Sequence, residues 1–334
     1  MKVAQVREPG AAFEVVEREI PEPGAGQVRL KVEACGICHS DAFTKDGAFP
    51  GIDYPRVPGH EVTGRVDQVG SGVQSWSNGQ RAAVGWHGGH CGQCDRCRAG
   101  DFITCRNAQI SGISYDGGYA EYMIAPEEAL VSMPQELDSV AAAPLLCAGI
   151  TTYNALRHSG ADAGDVVAVQ GVGGLGHLGI QYARRMGYHT VALSNGTEKR
   201  DLALELGAHR YVDAKSEDVN AVLQELGGAK VILATAPSAD AMTSVVDGLG
   251  VDGELIAVGA TPEPIQVSPF QLIMARRTVS GWASGTPKQA EDTLAFSRLA
   301  DIQARIETYP LDRVNEAYDR MINNEARFRV VLTM

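Results

Sequence analysis

The stretch Asp165-Val166-Val167-Ala168-Val169-Gln170-Gly171-Val172-Gly173-Gly174-Leu175-Gly176 decides the fold of this 334-residue sequence. Its first six residues, with the apolar run Val166 to Val169 at their centre, predict a buried strand that leads directly into a Gly-x-Gly-x-x-Gly turn. Leu178, Tyr182 and Met186 then recur at helical spacing before Gly187, which predicts a helix that ends there. The dinucleotide-binding fingerprint requires this succession of strand, glycine turn and helix, because the helix N-terminus can hold a pyrophosphate.

The residues after this stretch continue to alternate between strand and helix patterns. Further strands are predicted at 189–193, 210–212, 230–235, 254–258 and 277–281, with helices at 199–206, 219–226 and 239–249. With the first strand this gives six strands, which predicts a doubly wound parallel sheet of the Rossmann type. The first 84 residues instead carry short strands separated by glycine turns, which predicts a β-rich domain.

All seven cysteines fall inside motifs, six of them in two clusters and Cys147 alone, which in a cytosolic chain indicates metal binding rather than disulfides. The largest cluster consists of Cys91, Cys94, Cys97 and Cys105. Four thiolates with these spacings can close a tetrahedral site with no free position, which predicts a structural zinc. An iron–sulfur loop is the alternative, but the proline that usually follows the last cysteine of such a loop is absent.

The segment Cys35-Gly36-Ile37-Cys38-His39-Ser40-Asp41 combines two thiols, an imidazole, a hydroxyl and a carboxylate. Taken alone, its Cys-x-x-Cys spacing fits either a metal site or a redox pair. Gly59-His60-Glu61 adds an imidazole beside a carboxylate, and Cys147 adds a thiol from a third loop. A Cys, a His and a Cys from three loops give a ligand set with an open fourth position, as a catalytic zinc requires.

Composition narrows the class of protein and of partner. Hydrophobic residues make up 44% of the sequence and charged residues 21%, which is typical of a globular protein. No segment has the roughly 18 consecutive apolar residues of a membrane span, and the first residues lack the apolar core of a signal peptide. These features predict a cytoplasmic protein with no membrane partner. The net charge of -12 argues against a nucleic-acid partner, because nonspecific binding to phosphates needs a basic surface.

Five motifs carry a family resemblance: CGICHSD at 35–41, PGHE at 58–61, HCGQCDRC at 90–97, LLCAGITTY at 145–153 and GVGGLGHLGIQYAR at 171–184. Together they resemble the zinc-dependent alcohol dehydrogenases of the medium-chain dehydrogenase/reductase superfamily, and the resemblance covers nearly the whole chain. It implies an α/β fold in which a Rossmann domain at 149–284 is inserted in a β-rich, GroES-like catalytic domain. That catalytic domain would comprise 1–148 and 285–334, with a structural zinc lobe at about 88–106.

The resemblance also implies roles for the residues of the first two motifs and for Cys147. The catalytic zinc ligands would be Cys38, His60 and Cys147, with Cys35 a nearby non-ligand. Glu61 would be a movable fourth oxygen or a carboxylate behind the ligands.

Other implied roles concern the proton and the substrate. Asp41 would hold the free ring nitrogen of His60, and Ser40 would pass a proton between the substrate oxygen and the cofactor ribose. Many relatives complete this relay with a histidine at the position of Phe43, so the last step of proton transfer here is open. Phe49 and Trp86 match positions that line the substrate pocket, and two large rings favour primary over bulky secondary alcohols.

Thirteen residues match cofactor contacts: His39, Thr151, Gly171, Gly173, Gly174, Leu175, Gly176, Ser194, Asn195, Lys199, Val258, Ala260 and Arg327. Arg329 is an alternative to Arg327. NAD enzymes usually place an acid about 20 residues after the glycines to bind the ribose hydroxyl, and Ser194 occupies that position here. Ser194, Asn195, Lys199 and Arg200 could donate to a 2′-phosphate, whereas Glu198 opposes it. NADP(H) is therefore favoured over NAD(H), which stays an alternative.

The sequence thus predicts an oxidoreductase that interconverts primary alcohols and aldehydes, with two zinc ions and a nicotinamide dinucleotide per chain. A quinone or enoyl reductase of the same superfamily, which transfers hydride without zinc, is one alternative. A non-enzymatic redox sensor that binds zinc and a dinucleotide is the other. The edge strand at 277–281 predicts a homodimer or homotetramer, since relatives pair this strand with its copy.

Overall fold

The computed structural model describes all residues, Met1–Met334, and the chain divides into two compact units. The first unit comprises Met1–Ile150 together with Ser284–Met334, and the second comprises Thr151–Ala283. The second unit is therefore inserted in the chain of the first.

The strands are, in chain order, β1 (Lys2–Val6), β2 (Phe13–Glu17), β3 (Gln27–Ile37), β4 (Val62–Val69), β5 (Arg81–Val84), β6 (His87–Gly89), β7 (Gln109–Ile110), β8 (Tyr122–Pro126), β9 (Leu130–Ser132), β10 (Val166–Gln170), β11 (His189–Ser194), β12 (Arg210–Asp213), β13 (Ala229–Ala234), β14 (Leu249–Ala257), β15 (Thr278–Gly281), β16 (Ile306–Pro310) and β17 (Arg329–Thr333). The α-helices are α1 (Asp41–Lys45), α2 (Asp95–Arg98), α3 (Ser139–Ala142), α4 (Ala148–Arg157), α5 (Gly176–Arg185), α6 (Arg200–Glu205), α7 (Val219–Glu225), α8 (Ala239–Ser244), α9 (Pro269–Ala275), α10 (Pro287–Leu299) and α11 (Val314–Ile322).

The second unit is built on one parallel sheet of six strands, in the order β12-β11-β10-β13-β14-β15. This is the strand order of a doubly wound Rossmann sheet. Every residue of β10 is buried, because a central strand of such a sheet has both faces covered. The fold class predicted from the sequence is confirmed, including the number of strands.

The first unit is built on a mainly antiparallel sheet in the order β16-β17-β3-β4-β5-β9, with β8 also paired to β3. Its core is formed by apolar side chains of these strands and of α11. The strand β17 pairs with Ala34–Ile37, the last four residues of β3. The C-terminal segment therefore lies directly beside the strand that leads to Cys38.

The elements that were not predicted from the sequence include β16, α9 and α11, together with the short elements β2, β6, β7, β9, α1, α2 and α3. The helix predicted at 239–249 is also too long, since α8 ends at Ser244 and β14 already begins at Leu249. The two valines at 245 and 246 and Gly248 explain the early end, because β-branched residues and glycine are poor helix formers. No single helix is long and apolar enough to cross a bilayer, although the bent pair 139–146 and 148–157 meets the length and composition together.

Candidate active site and zinc sites

The end of β3 positions the first motif of the site. β3 runs as far as Ile37, so Cys35 is a strand residue with its side chain in the core, whereas Cys38 is the first residue beyond the strand. The N–H of Cys38 donates to Asp41 Oδ2 at 2.8 Å, which fixes the turn into α1. Two cysteines three residues apart are thus separated into a core thiol and a site thiol.

Ligand atoms of Cys38, His60, Glu61 and Cys147 converge on one point. All four lie within 4.8 Å of one another, and the Sγ atoms of Cys38 and Cys147 are 3.8 Å apart. A tetrahedral zinc with Zn–S bonds of about 2.3 Å places two sulfurs about 3.8 Å apart, so the spacing fits one ion. Cys35 does not belong to this group.

The imidazole of His60 is oriented by a carboxylate and leaves one nitrogen for a ligand. Its Nδ1 lies 3.0 Å from Asp41 Oδ1, and both side chains are 2% exposed. Its Nε2 is buried and has no hydrogen-bond partner. Asp41 Oδ2 in turn accepts from the hydroxyl of Tyr119 at 2.8 Å. Because Asp41 accepts the proton of Nδ1, the lone pair of Nε2 is directed at the thiols, which is the arrangement that a zinc-binding histidine needs.

Glu61 is a fully buried carboxylate rather than a solvated surface group. Its Oε1 forms an ion pair with Arg329 Nη2 at 2.5 Å, and Arg329 is itself 4% exposed. Its Oε2 is buried without a partner. Burial raises the pKa of Glu61 to about 7, although the Arg329 guanidinium acts in the opposite direction. One carboxylate oxygen of Glu61 lies within 4.8 Å of the ligand atoms of Cys38, His60 and Cys147, so a buried negative charge stands beside the ion site.

The four cysteines of the second cluster also converge. The Sγ distances are 3.6 Å for Cys94–Cys97, 3.9 Å for Cys94–Cys105 and 3.6 Å for Cys91–Cys105. These are the edges of a tetrahedron around one zinc-sized ion. An iron–sulfur cluster of several irons and sulfides would need more widely spaced thiolates.

Backbone amides in this lobe are directed at the sulfurs. The N–H groups of Cys91 and Asn107 lie 3.4 Å and 3.3 Å from Cys105 Sγ. The pKa of Cys91 is lowered to about 6, mainly by the backbone N–H of Gln93. These hydrogen bonds favour the thiolate form of Cys91, which is the form that binds zinc, whereas burial raises the pKa of Cys97 to about 12.

One aromatic side chain, Trp86, packs against a member of the cluster of Cys38, His60 and Cys147. The Trp86 ring meets the His60 ring edge-on, with centroids 5.0 Å apart. Phe49 lies 6.5 Å from Phe43, and both rings are half-buried. Ser40 is half-buried at the N-cap of α1, where its side chain makes no capping hydrogen bond. The hydroxyl of Ser40 is therefore not used by the helix.

The glycine turn after β10 has the features of a dinucleotide cradle. Gly171 has a φ of 92°, which favours glycine, and a side chain at Gly176 would overlap the carbonyl oxygen of Gly171. A side chain at Gly173 would meet nothing within 4 Å, so the backbone there is open to a ligand. The Thr235 hydroxyl donates to the carbonyls of Gln170 and Gly171 and fixes the turn.

Two residues that the sequence analysis did not predict, Asp213 and Tyr211, form hydrogen bonds that fix the loop after β11. Asp213 Oδ1 accepts from the N–H groups of Gly196 and Lys215, at 2.7 Å and 2.9 Å. The Tyr211 hydroxyl donates to the Gly196 carbonyl at 2.6 Å. Ser194 is half-buried at the end of β11. The carboxylate of Asp213 is thus occupied by backbone donors.

The other predicted cofactor residues are distributed over both units. His39, Asn195, Ala260 and Arg327 are exposed and Thr151 is buried. Gly174 and Leu175 complete the glycine turn, Lys199 is the N-cap of α6, and Val258 directly follows β14. Arg327 Nη1 donates to backbone carbonyls of its own loop, whereas Arg329 is engaged with Glu61. The choice between the two arginines as a cofactor ligand stays a prediction.

Tyr119 and the pairing of Arg329 with Glu61 were missed by the sequence analysis. Asp41 is 78 residues from Tyr119, and Glu61 is 268 residues from Arg329. The only local signal was the glycine pair at 117 and 118, where a side chain at Gly118 would overlap Val62 and Cys35 and one at Gly117 would overlap Pro58 and Gly59.

Two family models match the chain: the alcohol dehydrogenase GroES-like domain at residues 24–135, and the zinc-binding dehydrogenase model at residues 174–299. The chain is 44% identical to alcohol dehydrogenase patD of Penicillium expansum, over 100% of this chain and 97% of the relative. It also resembles a solved zinc-binding dehydrogenase from Sinorhizobium meliloti 1021 bound to NADP, with 29% identity and a TM-score of 0.90 over 100% and 99% of the two chains. A second solved structure, acetophenone reductase from Geotrichum candidum in complex with NAD, has 25% identity and a TM-score of 0.87 over 100% and 97%.

Proposed function

This chain belongs to the zinc-dependent alcohol dehydrogenases of the medium-chain dehydrogenase/reductase superfamily, and we propose that Cys38, His60 and Cys147 hold its catalytic zinc. The observation that carries the assignment is the unpartnered, buried Nε2 of His60 among two thiols that lie 3.8 Å apart. Two sulfurs and one nitrogen form the Cys₂His set with an open fourth position that alcohol dehydrogenation requires. Neither the zinc-free reductase nor the redox sensor would need this set.

The bound zinc supplies Lewis acidity that favours negative charge on the substrate oxygen. The chain supplies the rest of the arrangement. Asp41 keeps the proton of His60 on Nδ1, and Tyr119 and the N–H of Cys38 hold Asp41 in place. Trp86 covers the edge of His60 with an apolar ring, which keeps water away from the imidazole.

We assign to Ser40 the transfer of the proton that leaves the alcohol when hydride is transferred. Its hydroxyl makes no capping hydrogen bond in α1, so it can accept the alcohol proton and donate one onward. The position of the usual relay histidine is occupied by Phe43, whose ring lies beside Phe49. The last transfer to solvent therefore needs the cofactor ribose or water. The aromatic rings of Phe49 and Trp86 support primary alcohols and their aldehydes as substrates.

We expect about two zinc ions per chain in the purified enzyme, one in each cluster. Removal of zinc by a chelator should abolish NAD(P)-dependent alcohol oxidation, and readdition of Zn²⁺ should restore it. Metal analysis alongside the activity assay tests this. An enzyme that contains a single zinc and keeps full activity after chelation and dialysis would contradict the proposed catalytic site.

The positions of these sites suggest a separate role for each of the two units. We assign catalysis and both zinc sites to the unit formed by Met1–Ile150 and Ser284–Met334, which contains every residue of the two clusters. We assign dinucleotide binding to Thr151–Ala283, which contains the glycine turn and the loop after β11. The similar structures bound to NADP and to NAD support a nicotinamide dinucleotide and do not choose between the two.

For the cofactor we infer a preference for NADP(H), because position 194 carries a serine instead of an acid and Asp213, at the end of the neighbouring strand, is occupied by backbone N–H groups. Glu198, in the same loop, is the residue that opposes this preference. The ratio of kcat/KM with NADPH to that with NADH should exceed one, and Ser194→Asp should reverse it. A charge-assisted hydrogen bond is worth roughly 1.5–3 kcal/mol, so the ratio should change by at least about tenfold. Asn195→Asp, one residue further along the exposed loop, is the matched control and should have a smaller effect. A wild-type preference for NADH with no response to Ser194→Asp would contradict the inference.

For the assembly we infer a homodimer or homotetramer that uses the β15 edge of the second unit. β15 is the last strand of its sheet, so its outer backbone groups lack a strand partner in the chain. In the same unit α9 buries none of its residues, and Phe270, Ile273 and Met274 on one face are 68–72% exposed. An apolar face of this kind marks an interface. Light scattering coupled to size-exclusion chromatography should show a dimer or tetramer, and Ile273→Lys should weaken it. A wild-type monomer at micromolar concentration would contradict the inference.

A further inference from the structure

Gly36 interrupts the buried part of β3, where a glycine is unfavourable. A glycine in the interior of a strand loses more conformational entropy on folding than other residues and offers no side chain to pack. Gly36 pairs with Val331 of β17, and its φ is not in the left-handed region. Backbone conformation therefore does not require a glycine here, which leaves a close approach by another group as the reason.

The group that approaches Gly36 is the carboxylate of Glu61. A β-carbon at Gly36 would overlap Glu61 Oε2 and lie 2.9 Å from its Cδ and 3.0 Å from its Cβ. The N–H of Gly36 donates to the Glu61 carbonyl at 3.0 Å, so the two backbones cannot move apart without losing this bond. The carboxylate thus occupies the volume that a side chain at position 36 would fill.

The second wall of this space is Arg329. Its Nη2 lies 2.5 Å from Glu61 Oε1 and 3.1 Å from the carbonyl oxygen of Ile37, which ties the guanidinium to the end of β3. Glu61 Oε2 makes no hydrogen bond there. Arg329 therefore binds one oxygen of the carboxylate, while the other oxygen has no hydrogen-bond partner. The carboxylate is nevertheless close to the metal site, because one of its oxygens lies within 4.8 Å of the ligand atoms of Cys38, His60 and Cys147.

We propose that Gly36 and Arg329 form a slot that keeps the Glu61 carboxylate off the catalytic zinc, so that the fourth position stays open to the substrate. Gly36 is in this respect a positioning residue of the reaction, acting through Glu61. The slot has room for the carboxylate only because residue 36 has no side chain. If the slot is filled, the nearest place for a fully buried carboxylate is the metal. This inference rests on the catalytic zinc proposed above.

The test is Gly36→Ala, with release of zinc to a colorimetric chelator and steady-state kinetics as readouts. We expect the catalytic zinc to leave about tenfold more slowly, since Glu61 becomes a fourth protein ligand. The KM for the aldehyde should rise about tenfold, because only the fraction of enzyme with a free fourth position binds it, while the KM for the cofactor stays unchanged. The release phase that disappears in His60→Ala identifies the catalytic zinc. If the wild type itself lacks that phase, the proposed catalytic site is wrong rather than the slot.

Two further variants separate the slot from general crowding. In the Glu61→Ala background only the β-carbon of residue 61 remains, 3.0 Å from the added methyl, so Gly36→Ala should change neither zinc release nor aldehyde KM. Gly118→Ala is the matched control, because its β-carbon would crowd Val62 and Cys35 without Glu61 among its nearest contacts. It should leave zinc release at the wild-type rate.

If Gly36→Ala does not fold, Arg329→Gln is the second test, because it removes the guanidinium that binds the Glu61 carboxylate. This variant should also release the catalytic zinc more slowly and raise the KM for the aldehyde. Wild-type zinc release and aldehyde KM in the variant that folds would overturn the proposal. Equal effects of Gly36→Ala with and without Glu61 would overturn it as well.

Discussion

Cys38→Ser should lower kcat/KM for alcohol oxidation by at least about a thousandfold. A metal Lewis acid contributes several kcal/mol to stabilising charge on the substrate oxygen, and each 1.36 kcal/mol is a factor of ten in rate. Serine is a poor ligand for zinc, whereas the Sγ of Cys38 lies 3.8 Å from that of Cys147 and is one of two thiols in the set. His60→Ala and Cys147→Ser should have effects of the same size. The measurements are kcat/KM, zinc content and binding of the nucleotide, which should survive.

Cys35→Ser is the matched control for this prediction. The same chemical change is made three residues earlier, at a thiol that is fully buried in the core but does not belong to the ligand group. The variant should keep its zinc and most of its activity, with a moderate loss of stability from the polar substitution. Full activity of Cys38→Ser after chelation and dialysis would contradict the assignment, and so would an equal loss in Cys35→Ser.

Cys94→Ser should instead lower stability, by about 3–5 kcal/mol or roughly 10 °C in Tm. A closed four-thiolate site contributes its binding free energy directly to folding of the lobe, which has few other buried side chains besides Cys97 and Cys105. Below its Tm the variant should retain dehydrogenase activity and one zinc per chain. Thermal unfolding followed by circular dichroism and metal analysis would measure both effects.

Limited digestion with trypsin provides an independent readout for the lobe. Arg96, Arg98 and Arg106 are exposed there, so loss of the metal should make the chain after these residues accessible to the protease. The wild-type enzyme should resist cleavage at the same sites. A Cys94→Ser variant with wild-type Tm and no new cleavage would show that the four thiols do not hold a structural ion.

The parts of the fold that the sequence predicted are those with local signals. The strand from 165 to 170, the glycine turn and the helix to 185 lie within about two dozen residues of each other, so periodicity and glycine positions define them together. In contrast, α9 has apolar residues at helical spacing but buries none of them, so its apolar pattern does not reflect packing inside the chain. The strand β16 is half-exposed and includes Pro310, which weakens a strand pattern.

Only those residues of the candidate site that lie in recognisable motifs could be predicted from the sequence. The ligand types and the third loop could be read from Cys38, His60 and Cys147, but only the family resemblance, and not the residue pattern itself, distinguished Cys38 from Cys35. That distinction depends on where β3 ends, since the strand carries Cys35 into the core and releases the chain after Ile37. Arg329 has no local pattern at all, because its partner Glu61 becomes a neighbour only through the pairing of β17 with β3.

The insertion of the second unit between two segments of the first affects how the protein is made. Ile37 and Arg329, which are hydrogen-bonded in the finished fold, are separated by 292 residues of chain. At a synthesis rate of about 5–20 residues per second, the end of β3 has to wait roughly 15–60 s for β17 to emerge from the ribosome. The dinucleotide unit is continuous in sequence and can fold during that interval. The edge of β3 beside the cysteines stays uncovered until then, so this edge is where a nascent chain would need protection from aggregation.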